Sequence, residues 1–391
     1  MRRRKPNYKR IIGFFLFLCL ITGGSICWFK YEDKEKTDDS KDPVVEEEGK
    51  EPKVYSLDMV MVGDALIHAN VYNDAKVGDT YDFSPMFENV SDYFKSFDLA
   101  FYNQETPFGG KSLGYGGYPR FNTPSEIGDE MLKMGFNLVS LATNHTMDRG
   151  ETGVINSLAY WNSKDVMTAG SYLSAEDRNA VNIKEKNGIS YTMLAYTTTT
   201  NYAITSGKPY LLNMYDKGKV AADIAKVRDK VDLLMVSMHW GTEYATTPND
   251  QQKEIATYLA SLGVDIVIGT HTHSVQPIEY IDGTLVIYSL GNLISSQLYD
   301  NNLVGLMTSL KITKKVDDDI TTINLSDLEA KLIFTYYKGG RDLGSVHTDH
   351  QIIPFEMLTA DIFPSYKTYY EKYKKVLTSM DDTINVGAIS E

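Results

Sequence analysis

The sequence predicts an α/β domain in which helices cover the faces of β-sheets. Three observations lead there. From Tyr55 onward, apolar runs of strand length alternate with stretches whose apolar residues recur at helical spacing. The runs stop abruptly at glycine or a polar residue, as buried strands do where they empty into loops. The residues at those stops are of kinds that bind metal ions. Met59-Val60-Met61-Val62-Gly63 precedes Asp64, Leu99-Ala100-Phe101-Tyr102 precedes Asn103 and Glu105, and Leu138-Val139-Ser140-Leu141-Ala142 precedes Asn144-His145. Leu233-Leu234-Met235-Val236 leads to His239, and Val267-Ile268-Gly269 leads to Thr270-His271-Thr272-His273. Of the seven histidines, His68, His145, His239, His271 and His273 fall just past such runs, a clustering that scattered surface histidines would not show.

After the first strand, residues 84–97 have the spacing of a helix, with Ser84-Pro85 as N-cap and first-turn pair. Residues 109–119, rich in Gly and Tyr, read as an exposed loop where a binding lid could sit. Helices are expected over 125–134, stopped by Gly135, over 151–161, around 219–230, and over 250–262, stopped by Gly263. Strands are expected over 189–196 and 264–268. Beyond Thr284, the runs 285–290, 303–312 and 328–337 read as antiparallel strands completing the sheets, before a last helix over 364–380.

A length of 391 residues admits two ordinary domains or one large α/β domain with additions. The formal charge is −13 although Arg2, Arg3, Arg4, Lys5, Lys9 and Arg10 open the chain. Nucleic acid is therefore not an expected partner, because phosphate backbones are gripped by basic surface. Residues 11–29 form an uncharged apolar run long enough to cross a bilayer, between the basic residues 1–10 and an acidic stretch. The positive-inside rule puts residues 1–10 in the cytoplasm and the remainder outside, as a single-pass signal-anchor protein of the cell membrane. A cleaved signal peptide is the competing reading, but no small-x-small site precedes the charged stretch, and Gly24-Ser25-Ile26-Cys27 matches a lipoprotein box poorly. Both cysteines, Cys19 and Cys27, lie in this run, so the outer part has no disulfide to rely on. Residues 30–53, dominated by Glu, Asp and Lys, bury too little apolar surface to offset chain entropy and should form a disordered linker. The motif-bearing domain is then 54–300, and 301–391 supplies strands and a helix that complete it or are appended to it.

Oxygen and imidazole ligands without a thiolate suit Zn, Mn or Fe(II). The candidates Asp64, His68, Glu105, Asn144, His239, His271 and His273 exceed what one ion needs. Two divalent ions bridged by a carboxylate would use them all, and such a site activates a water for in-line attack on phosphorus.

Six ordered motifs also carry a family resemblance: Gly63-Asp64, Asn103-Gln104-Glu105, Asn144-His145-x-x-Asp148-x-Gly150, His239-Trp240-Gly241-x-Glu243, Gly269-x-His271-x-His273-x-x-Gln276 and Ser289-Leu290-Gly291-Asn292. Over roughly 55–297 they resemble the CapA family of poly-γ-glutamate capsule biosynthesis proteins, which is similar in turn to the calcineurin-like metallophosphoesterases. The resemblance implies a four-layer α/β/β/α sandwich with a dinuclear site at the sheet edges. It implies that Asp64 and His273 bind one metal, that Glu105 bridges, and that Asn144, His239 and His271 bind the other. It also implies that His145 faces the substrate, protonating a leaving oxygen or steadying a phosphoryl group. His68 follows Asp64 by four positions where the phosphoesterases have two, which leaves it either a ligand or a residue supporting one. Glu105 stands where the phosphoesterases have Asp.

Asp148, Glu243 and Gln276 could orient metal-bound imidazoles or be ordinary hydrogen-bonding loop residues. Trp240 reads as core packing more than as a substrate platform, and Asn292 as a turn residue that could touch the site. Arg120 reads as a surface residue able to meet an anionic substrate, and His347 and His350 as solvated.

The expected function is a membrane-anchored extracellular metal-dependent phosphoester hydrolase of capsule or cell-envelope polymer biosynthesis. Two alternatives stay open. One is a non-catalytic accessory subunit of a poly-γ-glutamate synthesis and export complex, with Gly23-Gly24-Ser25 permitting close packing on partner helices. The other is a γ-glutamyl amide hydrolase that uses the same activated water.

Overall fold

The structure is a computed structural model that describes residues 51–318 and 320–389. The expected anchor 11–29 and nearly all of the linker 30–53 lie outside the described residues. Among the described residues no helix is long and apolar enough to cross a membrane.

In chain order the strands are β1 (Lys53–Ala65), β2 (Lys76–Val77), β3 (Thr80–Tyr81), β4 (Leu99–Asn103), β5 (Leu138–Ser140), β6 (Met167–Ala169), β7 (Lys184–Lys186) and β8 (Ile189–Thr197). They continue with β9 (Leu233–His239), β10 (Ile266–Thr270), β11 (Ile278–Ile281), β12 (Thr284–Ile287), β13 (Asn292–Ile294), β14 (Val304–Asp317), β15 (Ile320–Lys338) and β16 (Thr348–Pro354). One large sheet runs β16-β15-β14-β1-β4-β5-β6 with β13 also on β1, and the other runs β11-β12-β10-β9-β8-β7. Within the first, β1, β4, β5 and β6 are parallel neighbours. Within the second, so are β8, β9, β10 and β12. Parallel neighbours need long crossovers, and the helices Glu126–Lys133, Gly150–Asn162, Lys217–Val227 and Asp250–Ser261 lie in them.

The uniformly apolar strands follow from burial on both faces. In β9 and β10, Leu233, Met235, Ile266 and Ile268 join a core shared with Leu57, Met59 and Met61 of β1, and β1 lies against β8 and β10 of the other sheet. The alternate residues Leu234, Val236 and Val267 face away, toward Val220 and Ile224 of one helix and Ile255 and Leu259 of another. Helix residues Ile127, Met131, Val154 and Leu158 pack with Phe101 and Val139 of the first sheet.

Three local expectations need correction. Residues 84–97 are not one helix but a 3-10 turn, Ser84–Phe87, and a short helix, Ser91–Lys95, separated at Val90, whose φ of −126° is not helical. Strand β12, expected among antiparallel additions, pairs antiparallel with β11 on one side but in parallel with β10 on the other, because an apolar run carries no information about strand direction. The added strands β14, β15 and β16 do pair antiparallel, β14 directly on β1. Strand β6 went unforeseen because three residues are too few to display a period.

Candidate metal centre

Each chemically interesting side chain stands at or just beyond the carboxyl end of a strand, where backbone turning away from the sheet frees side chains to converge. Asp64 is the penultimate residue of β1, Glu105 lies two past β4, Asn144 four past β5, and His239 ends β9. His271 and His273 follow β10 directly, both with positive φ, 93° and 52°. Non-glycine residues rarely hold such angles, and they persist where surrounding structure imposes them, often at functional sites. Gly63 and Gly269 let the strand ends approach. A Cβ on Gly63 would lie 1.8 Å from the Gly291 carbonyl oxygen, and one on Gly269 would lie 2.0 Å from that of Tyr288.

The two sheets meet at Asp64, whose Oδ2 accepts the His271 N–H at 3.2 Å and whose Oδ1 accepts from Asn103 Nδ2 at 2.8 Å. Two buried groups of three potential ligands result, Asp64 with Glu105 and His273, and Glu105 with His239 and His271, each group's ligand atoms lying within 4.8 Å of one another. Glu105 belongs to both. His239 Nε2 is 2.9 Å from Asn144 Oδ1 and 3.8 Å from Glu105 Oε1, so Asn144 points at the second group. His273 Nδ1 lies 3.0 Å from Asn292 Oδ1. The Asn292 amide nitrogen donates to the Asn302 carbonyl, so Oδ1 is the acceptor, Nδ1 carries the ring proton, and the lone pair is on Nε2, 3.6 Å from Glu105 Oε1.

These residues fit divalent cations on their own chemistry. Among the described residues no hydrogen-bond donor reaches either carboxylate oxygen of Glu105 or Nδ1 of His271, all three buried, an arrangement that costs free energy unless something else engages them. Burial first, and the neighbouring Asp64 carboxylate second, push Glu105 well above the ordinary carboxylate range. Burial first and then His271 and His273 hold His239 well below an ordinary imidazole, and burial with His273 takes His271 down to about 4. The rings are thus neutral and able to donate lone pairs, and a cation would relieve the carboxylate repulsion.

The chain matches the family described as bacterial capsule synthesis protein PGA_cap over residues 58–297, more than half of its length. It belongs to that family. Within PGA_cap relatives, it is 28% identical over 264 residues to the PGA biosynthesis protein CapA of Bacillus subtilis (strain 168), covering 63% of this chain and 66% of that protein. It is 27% identical over 257 residues to the capsule biosynthesis protein CapA of Bacillus anthracis, covering 62% of this chain and 60% of that one. The chain therefore spans 60–66% of the length of these two curated relatives. Among solved structures it is similar to the calcineurin-like phosphoesterase YfkN from Bacillus subtilis, with a TM-score of 0.46 and 14% identity, covering 72% of this chain and 91% of that one.

Around the PGA_cap motif residues the remaining expectations divide. His145 lies beside the cluster with Nδ1 2.8 Å from Asp148 Oδ2, which also accepts the Phe121 N–H at 2.7 Å. Asp148 thus orients His145 rather than a residue of either ligand group. Asn292, read as a turn residue, holds His273. His68 stands outside both groups of three; its Nδ1 lies 3.1 Å from the Leu66 carbonyl oxygen and 3.2 Å from the Ser296 backbone nitrogen, and burial, then His273, pushes it down to about 3. Gln276 engages no imidazole: it accepts from Gln252 and donates to the Ala245 carbonyl, tying down the loop after β9. Glu243 is exposed. Trp240 is fully buried, stacked on Tyr288 and donating to its carbonyl, so it offers no substrate surface. Asn201, which sequence reasoning missed within a polar threonine-rich loop, places Nδ2 3.2 Å from His145 Nδ1.

His347 and His350 are not solvated but 2% and 1% exposed. Ser296 Oγ sits between them, 2.5 Å from His347 Nδ1 and 3.1 Å from His350 Nε2. His350 Nδ1 faces Asp74 Oδ2 at 2.8 Å and His347 Nε2 faces the Gly340 carbonyl at 2.9 Å. Their polar surroundings in sequence hid this because Ser296 and Asp74 are 51 to 276 residues away.

Proposed function

We propose that this protein is a metal-dependent phosphoester hydrolase acting in capsule or cell-envelope polymer biosynthesis, with two divalent ions (Mn, Zn or Fe) held by Asp64, Glu105 and His273 and by Glu105, Asn144, His239 and His271. The carrying observation is Glu105, a buried carboxylate with neither oxygen hydrogen-bonded, shared by two convergent ligand groups. Family membership and the names of the capsule biosynthesis relatives support the setting. The four-layer phosphoesterase-type sandwich belongs to the same proposal, as does an outward-facing domain tethered by residues 11–29.

Bound ions supply Lewis acidity that polarises a water and an ester oxygen. Glu105 and Asp64 supply the negative charge that retains the ions. Asn292 keeps the His273 proton on Nδ1, and Thr270 Oγ1, 3.0 Å from His239 Nδ1, steadies that ring. Asp148 fixes the His145 ring, with Nδ1 toward the carboxylate and Nε2 left for a leaving oxygen or a phosphoryl oxygen. The same apparatus serves an amide carbonyl, so a γ-glutamyl hydrolase is the companion reading. In a Mn-loaded full-length chain, hydrolysis of an aryl phosphate is expected, and His271→Ala abolishes it. Unchanged turnover in that variant overturns the proposal.

A further inference from the structure

At the mouth of the metal centre, two arginines approach the same loop and are used differently. Arg149 spends its guanidinium on the loop itself, donating to the carbonyls of Phe121 and Arg120. Arg120 is exposed and anchors only Nε, on the Asp148 carbonyl at 3.1 Å, with its guanidinium 5.1 Å from the Tyr202 ring centre. Among the described residues its two terminal nitrogens have no protein hydrogen-bond partner. The next residue, Phe121, packs edge-on against His145 at 4.7 Å and against His68 at 5.5 Å. The free fork therefore stands one side chain away from the ring read as facing the substrate.

Its surroundings are acidic and aromatic. Its Nε is held by the Asp148 backbone, and Asp148, Asp64 and exposed Glu243 all lie within electrostatic reach of Glu105. Tyr244, 55% exposed, lies over His273 at 6.2 Å and within electrostatic reach of Tyr118, which is 78% exposed. Divalent ions would offset the inner carboxylates but not the rim, where an anionic group meets repulsion unless a cation stands there. A guanidinium held by Nε and stacked beside a ring presents two parallel N–H donors in a fixed plane, matched to a carboxylate or a phosphate.

We propose that Arg120 recognises a second anionic group of the substrate, beside the group engaged at the metal centre. This rests on the hydrolase reading above and deepens it by adding a specificity-determining residue: the substrate carries a second anion next to the group at the metal centre. Carboxylates of a γ-linked glutamyl chain and phosphates of a polyol phosphate chain share the required chemistry.

The test measures calorimetric binding by the Mn-loaded full-length chain of three probes, a γ-linked glutamate oligomer, a glycerol phosphate oligomer and inorganic phosphate. Arg120→Ala is expected to weaken binding of one or both oligomers by about fivefold to tenfold while leaving inorganic phosphate unchanged. Arg120→Lys should recover part of the loss, since it keeps the charge but not the fork. Which oligomer responds identifies the source of the anion. Arg120→Gln, checked for an unaltered melting temperature, separates loss of charge from loss of the loop and should weaken binding as the alanine variant does. Unchanged oligomer binding in Arg120→Ala and Arg120→Gln overturns the inference, as does an equal loss for inorganic phosphate or a wild-type chain that binds neither oligomer. Arg120-dependent binding without any hydrolysis would strike the hydrolase reading alone.

Discussion

Two clusters of buried histidines lie in this molecule, and they differ in what their nitrogens touch. Around Ser296, each ring nitrogen of His347 and His350 has a protein partner. Around Glu105, His271 Nδ1 and both carboxylate oxygens have none. Buried histidines alone do not mark a binding site. Convergent lone pairs left without protons do, because a buried acceptor that no donor reaches costs stability unless a ligand takes it.

Changes aimed at each cluster should break this contrast if it is wrong. The largest effect is expected from Glu105→Gln, which removes the shared charge: metal content should fall and turnover drop by at least about a hundredfold. His350→Ala, measured alongside by metal analysis, should retain the wild-type metal content. Asn292→Ala comes next. Releasing the His273 tautomer should cost about tenfold to a hundredfold in metal affinity, read by competition with a chelating dye. For the Ser296 cluster, His350→Ala takes the imidazole from the Asp74 carboxylate, which keeps two backbone N–H donors, and should lower unfolding free energy by about 1–3 kcal/mol in urea titration. A metal-affinity loss as large as that of Asn292→Ala would erase the distinction.

Acid should separate the clusters through smaller shifts. His271 has a folded pKa of about 4 against an ordinary 6.5, so the metal-free folded state binds fewer protons than the unfolded chain between those values. Its stabilising contribution is full above 6.5, declines as pH falls toward 4, and changes no further below that. Burial raises Asp74, but hydrogen bonds from His350 and from two backbone N–H groups outweigh it and leave the carboxyl below its ordinary 3.8. Its contribution is present above 3.8 and is lost only as pH falls through the lower folded value. Melting temperatures of the metal-free protein should therefore fall first in the His271 window. His271→Ala should make that part of the profile shallower, since His239 and His68 share it, and leave the Asp74 part.

Much of the candidate site was legible in the sequence because strand ends are local events. The apolar run through Val62 and the one through Ile268 place Asp64, His271 and His273 at sheet mouths without any knowledge of partners. The same runs could not reveal that β12 is parallel to β10, nor that β13 pairs in parallel with β1 where Asp64 stands.

What the sequence determined by itself is which residues stand at the ends of buried strands, since alternation and punctuation depend on neighbours a few positions away. What only the tertiary structure decided is which of those residues lack partners. Asn292 serving His273, Ser296 binding His347 and His350, and Glu105 left bare are outcomes of how distant segments pack, with the ends of β1 and β10 closing on residues 287–291 at Gly63 and Gly269. Hydrogen-bond pairing over such separations depends on that packing in three dimensions, and periodicity along the chain carries no trace of it.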